Sequence, residues 1–207
     1  MTRSTCTTRT AVLALSLAAL AAGPAAAASF FALNPQATYL RANESPVPPP
    51  ALVLDLSDLG FVAGDRLQLQ VAGDIDNGPG GDVFTTTLGL FSSSSTLLPA
   101  SQPARVPGAL ASDGPAFVSE VTYFGGLVTD IPEDFAFGFD NVDNASVVVT
   151  VPVGAQFLFL AKHDQLYRDN SDPDQDYGVW IARAPVPEPG SWALLAAGLC
   201  GLAWKAR

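Results

Sequence analysis

Between Ser29 and Pro185 no stretch of the chain keeps a 3.6-residue apolar period. What recurs is alternation with a period of two, in short runs closed by Gly, Pro, Asn and Asp, the pattern of half-buried strands. Arg66-Leu67-Gln68-Leu69-Gln70-Val71 alternates polar and apolar cleanly. Leu52–Leu56, Val83–Phe91, Phe117–Val128, Phe135–Phe139, Ser146–Val151 and Tyr177–Ala182 read as further strands, and Phe157–Ala161, apolar throughout, as one buried on both faces. About eight short strands in roughly 155 residues predict an all-β domain, an antiparallel β-sandwich of the jelly-roll kind. Asn43–Pro50, with proline at 46, 48, 49 and 50, reads as a stiff loop before the first strand. Leu97–Pro115 reads as a long connection lying over one sheet.

The two ends follow other rules. Arg3 and Arg9 precede an apolar run from Ala11 to Ala22, Gly23-Pro24 breaks it, and Ala25–Ala28 supplies small residues. This is the layout of a secretory signal peptide, cleaved between Ala28 and Ser29 and passed to a secretion translocon. Twelve apolar residues make a helix of about 18 Å, short of the ~30 Å hydrocarbon core. At the other end Val186-Pro187-Glu188-Pro189-Gly190-Ser191 is followed by an apolar run from Trp192 to Trp204 and by Lys205-Ala206-Arg207. The two prolines hold Glu188 in an extended, accessible segment. The basic tip favours the cytoplasmic side of a membrane for the helix end.

That tail resembles the PEP-CTERM sorting signal, whose order is a Pro-Glu-Pro tripeptide, a hydrophobic helix and a basic tip. The resemblance implies Pro187, Glu188, Pro189 and Gly190 as the sorting motif. It implies recognition by a membrane-embedded exosortase, in a Gram-negative bacterium that makes exopolysaccharide. The expected organisation is a signal peptide at 1–28, a β-sandwich domain at 29–184 and the sorting signal with its transmembrane helix at 185–207. The protein would cross the inner membrane, be held briefly by its C-terminal helix, and end at the cell surface or outside it.

Setting the ends aside changes the charge. The whole chain carries −10, but residues 29–185 hold 19 acidic and six basic side chains, a net charge of −13. Such a surface repels nucleic acid. Cys6 and Cys200 both fall in the ends, and with His163 as the one histidine a Cys/His zinc site is excluded. Sixteen of the 19 acids are Asp, a residue suited to turns and to hard-cation ligation rather than to helix faces.

The acids collect in two loops. One is Gly73-Asp74-Ile75-Asp76-Asn77-Gly78-Pro79-Gly80-Gly81-Asp82, directly after the Arg66–Val71 strand. The other follows the Phe157–Ala161 strand and places Asp164, Asp169, Asp172, Asp174 and Asp176 within 13 residues, with His163, Tyr167 and Asn170 among them. Carboxylates packed so tightly repel one another unless a cation neutralises them, and Asp, Asn and carbonyl oxygens are the ligands Ca²⁺ takes. The same sequences also suit solvated turns, in which Asp bonds its own backbone. Asp74, Asp76, Asp172, Asp174 and Asp176 are therefore weaker ligand candidates.

Around these loops the chain resembles the calcium-dependent galactose-binding lectins of the small bacterial β-sandwich type. Ala63-Gly64-Asp65 leads into an alternating strand ending Val71-Ala72-Gly73, Asn77-Gly78-Pro79 follows, and a late apolar strand runs into Asp164 and Asp169-Asn170-Ser171. The resemblance implies Ca²⁺ held by Asp164, Asp169 and Asn170 with the main-chain carbonyl of Asn77. The His- and Gln-bearing segment that holds sugar in that family is replaced by Val83–Phe91. The sugar site is left open: Tyr167 and His163 are candidate contacts, with Tyr177 and Trp180 as further rings, although His163 also suits a plain surface position and Trp180 sits inside a strand pattern and reads as core.

Together these features predict an exported, non-enzymatic β-sandwich with bound calcium, able to bind carbohydrate in an exopolysaccharide matrix. A purely structural matrix protein is the alternative. A carboxylate glycoside hydrolase would have to draw on Glu120, Glu133 and Asp134.

Overall fold

The computed structural model describes residues 27–78, 81–83, 85–117, 131–138 and 145–185. The expected signal helix, all but the first residue of the strand expected over Phe117–Val128, Glu120 and the sorting motif with its helix lie outside these residues. Among the described residues no helix is long and apolar enough to cross a membrane. The chain there is built of short antiparallel strands, with a 3-10 turn at Tyr167–Asp169 in the late acidic segment.

Four strands form one sheet: β1 (Ser29–Ala32), β3 (Arg66–Ala72), β9 (Ser146–Thr150) and β12 (Gly178–Arg183), in the order β1-β12-β3-β9. A second sheet runs β2 (Leu52–Asp55), β10 (Phe157–Lys162), β6 (Thr87–Ser92) and β7 (Ala109–Leu110), with β8 (Phe135–Phe137) also paired to β6. A small third sheet joins the two acidic loops: β11 (Asn170–Ser171), β4 (Ile75–Asn77) and β5 (Asp82–Val83).

The alternation in β3 does what a period of two requires: Leu67, Leu69 and Val71 are buried while Gln68 and Gln70 lie on the opposite face. Those three join one hydrophobic cluster with Val149, Val179 and Ile181 from the same sheet and Leu54, Phe91, Phe135, Leu158 and Leu160 from the second. Removing each such side chain from water contributes about 1.5–3 kcal/mol, so this shared cluster is what binds the two sheets.

The second sheet is buried on its other face as well. Leu88, Leu90, Phe159 and Ala161 pack there against Tyr39, Leu40, Ala51 and Val106. That explains why Phe157–Ala161 is apolar without alternation. The Leu97–Pro115 connection lies over this face as expected, adding Leu97, Val106 and Ala109 to the cluster, and its Ala109–Leu110 pairs with β6. Arg105, buried here, ties the two covering loops by donating to the carbonyls of Leu98, Thr38 and Leu40.

Two expectations need correction. Val83–Phe91 is not one strand: Asp82–Val83 pairs with Ile75–Asp76, whereas Thr87–Ser92 pairs with β10. Trp180 is not core. Its neighbours Val179 and Ile181 are buried, so the pleat turns Trp180 outward, where it is 41% exposed.

Candidate functional site

The late acidic segment begins where β10 ends. Lys162, the last residue of that buried strand, is 2% exposed. Its ammonium donates to Asp164 Oδ2 in a close ion pair and to Asn170 Oδ1 at 3.0 Å. A buried cation needs such company, because leaving water costs several kcal/mol unless charge and hydrogen bonds replace it. Asp164 and Asn170, two of the ligands implied by the lectin resemblance, therefore do converge, and the cation between them is the protein's own ammonium.

The rest of the segment is wired to its neighbours. Asp164 Oδ1 accepts the N–H of Gln165 at 2.6 Å and of Leu166 at 3.3 Å, an Asx-type turn. Asn170 is buried and donates its amide to the carbonyl of Pro35 at 3.1 Å. In register, Asn170 lies opposite Asn77 and Ser171 opposite Asp76, so the two acidic loops meet through a backbone ladder. Asn77 is exposed at the end of β4, and the exposed carboxylate of Asp169 lies over Gly78.

Glu44 completes this wiring and was not legible as a site residue. It is buried, and its two carboxylate oxygens accept the N–H groups of Tyr167 at 2.7 Å and Arg168 at 3.1 Å. These are the unpaired donors at the start of the 3-10 turn, where a carboxylate is favoured. A charged residue within the proline-rich 43–50 loop was the available signal. Lys162 also left a trace: it closes an otherwise apolar strand two residues before an Asp, on the same side of the pleat.

Tyr167, weighed as a sugar contact, is 1% exposed. Its hydroxyl meets Thr38 Oγ1 at 3.2 Å and the N–H of Asp164 at 3.4 Å, and burial raises its pKa far above the usual phenol range. Tyr177 is likewise buried, with its hydroxyl 3.1 Å from that of Thr87. Neither ring presents a face to solvent. His163 is half-buried, its ring 4.5 Å from that of Phe117.

Beyond β11 the character changes. Asp172 is half-buried and Asp174 and Asp176 are exposed, each offering a carboxylate oxygen within 4.8 Å of the others. Asp172 accepts the N–H of Gln175 at 3.0 Å and of Tyr177 at 3.3 Å. Asp176 Oδ1 accepts the N–H of Asp74 at 3.2 Å. Gly73, at φ +70°, lets the two loops approach this closely, since a Cβ there would meet Asp176 Oδ1 at 2.1 Å. Partial burial, with a contribution from the neighbouring Asp174, raises the pKa of Asp172 above the ordinary carboxylate value. The side chains of Asp74 and Asp76 are half-buried on the facing loop and do not belong to this group of three.

Of the acids a hydrolase would need, Asp134 is 3% exposed and accepts the Tyr39 hydroxyl at 3.5 Å. Glu133 beside it is half-buried.

No curated protein and no solved structure matches the chain significantly. Residues 185–207 match the PEP-CTERM protein-sorting motif. The chain thus carries at residues 185–207 the motif that exosortase recognises, which implies export and C-terminal processing in a Gram-negative bacterium.

Proposed function

We propose that this chain is a non-enzymatic surface or extracellular-matrix protein, a β-sandwich of jelly-roll type released from an exosortase-processed tail. The observation that carries the reading is the PEP-CTERM match at residues 185–207. The sandwich description draws on the cluster shared by the two larger sheets. The secretory layout of residues 1–28, with small residues up to Ala28, supports passage through a translocon before sorting. Asp134, one of the acids a hydrolase would draw on, is buried and accepts the Tyr39 hydroxyl.

The experiment is expression of the tagged full chain in an exosortase-bearing Gram-negative host and in the same host lacking exosortase. Processed protein outside the inner membrane in the first, and unprocessed precursor held in the inner membrane in the second, is the expected result. Identical fractionation in both hosts would overturn the reading, as would normal processing of the Glu188→Ala variant together with Pro187→Ala.

A second reading adds a structural Ca²⁺. Asp172, Asp174 and Asp176 favour it over the Asp164 centre, because Lys162 already supplies a positive charge to Asp164 and Asn170. Cation binding would stabilise the folded state by mass action. A melting midpoint of the full chain that rises with millimolar CaCl₂, and does not rise in Asp174→Asn, is expected. Equal midpoints with CaCl₂ and with EDTA exclude the ion.

A further inference from the structure

The outer face of the four-stranded sheet differs from the rest of this acidic domain. One row across it, in register, is Phe30 on β1, Trp180 on β12 and Gln70 on β3. The next is Ala182, Gln68 and Val148. Phe30 and Trp180 are 37% and 41% exposed, with ring centroids 5.1 Å apart and planes at 51°. Large rings left in water cost free energy that burial would recover, so a paired exposed Trp and Phe marks a contact surface.

The pair is also seated. Phe30 lies across Gly178, where a Cβ would stand 2.4 Å from Phe30 Cζ. The absent side chain lets the Phe30 ring lie down on the sheet instead of standing off it. Strand spacing and rise make the two rows a platform about 10 Å by about 7 Å, enough for two linked sugar rings.

Neither row carries a charge. In a domain with 19 acidic and six basic side chains over residues 29–185, these rows bear two rings, two carboxamides, the Ser146 hydroxyl and the small apolar side chains of Ala182 and Val148. The next row is Arg66 opposite Thr150, and Thr150 there holds Asp113 through its N–H at 2.6 Å and its hydroxyl at 2.8 Å.

We infer that this face binds a neutral polysaccharide, with sugar rings stacked on Trp180 and Phe30 and hydroxyls paired with the half-buried carboxamide of Gln68 in the next row. The chemistry matches part by part. The C–H faces of a pyranose are apolar and faintly positive, and lie on the negative faces of aromatic rings. A carboxamide both donates and accepts, as a hydroxyl does. The domain's net charge of −13 repels anionic polymers and anionic lipid surfaces, which leaves an uncharged chain as the occupant. The inference rests on the proposed matrix role for its setting. Its test is made on purified protein, so it can fail while export and processing stand.

The full chain, purified in a mild nonionic detergent, is run through gels containing hydroxyethylcellulose, dextran, laminarin or alginate. Retardation by at least one of the three neutral glucans is expected, unchanged in 0.5 M NaCl, with none by alginate. Trp180→Ala and Phe30→Ala should each weaken it about tenfold or more, the effect of truncating a central aromatic anchor. Gln68→Ala should weaken it by a smaller factor, and Val47→Ala, at an exposed residue of the 43–50 loop away from the face, should not weaken it. Any of four results overturns the inference: no retardation by any neutral glucan, retardation by alginate that salt abolishes, retention undiminished in Trp180→Ala, or a sedimenting dimer that Trp180→Ala dissociates. Flotation with phosphatidylcholine vesicles that depends on Trp180, without glucan binding, would assign the face to lipid instead.

Discussion

Two groups of carboxylates meet at the late acidic segment, and they are handled in opposite ways. Asp164 and Glu44 are drawn inward and saturated, the first by Lys162 and two backbone N–H groups, the second by Tyr167 and Arg168. Asp172, Asp174 and Asp176 stay at the surface, close together, with water left to screen them. The difference is not in the acids, which are chemically alike. It lies in what the neighbouring segments deliver: β10 brings an ammonium to the first group, whereas the turn before β12 brings backbone donors to Asp172 and the facing loop brings one, the N–H of Asp74, to Asp176. An acidic loop is thus two things at once, a buried brace and an exposed anionic turn.

The sharpest way to break the contrast is Lys162→Met. It removes the positive charge while keeping much of the stem's volume, leaving Asp164 and Asn170 facing an apolar end. Breaking a buried pair on one side is expected to cost about 3–5 kcal/mol of stability, measured by denaturant titration. A cost under about 1 kcal/mol would place the pair with exposed ones and erase the distinction.

Glu44→Ala comes next. The N–H groups of Tyr167 and Arg168 lose their acceptor at the start of the 3-10 turn, with an expected cost of about 1–3 kcal/mol by the same titration. An unchanged midpoint would mean that water replaces the carboxylate there.

The exposed group should answer weakly and with the opposite sign. The pKa of Asp172 is raised, so the fold favours its protonated form. Its contribution to stability is fully present in acid, below the ordinary carboxylate value, and is lost as pH rises through the raised one. Asp174→Asn removes the neighbouring charge. The melting midpoint should therefore rise by about 1 °C at neutral pH and stay unchanged in acid where both groups are protonated. A fall at neutral pH would show that Asp174 supports the turn rather than straining it.

Much of the strand framework was legible because burial leaves a periodic mark. Leu67, Leu69 and Val71 gave β3, and the unbroken Phe157–Ala161 run gave a strand covered on both sides. Trp180 was misread although its flanks, Val179 and Ile181, fix its direction. β4 and β11 left no such mark. They are two or three residues long, rich in Asp and Asn, and their pairing is imposed by longer strands that bring the loops together. The meeting of Asp164 with Asn170 was expected, but the occupant of the space between them was not. A lysine at the end of an apolar strand looks like a strand terminus, and its inward direction follows from packing at a distance, with Asn170 held by Pro35 and Asn77.

The pairing of β12 bears on how such a domain withstands pulling. The sorting segment begins just beyond β12, and this strand lies inside its sheet, with Gly178–Arg183 matched to Leu67–Ala72 on one side and Gly178–Ile181 to Ser29–Ala32 on the other. Ladder hydrogen bonds run across the strands, so tension transmitted through residue 184 along β12 loads both ladders in shear, many bonds together, instead of peeling them one by one. A tether attached there pulls on a strand that is held along both of its edges.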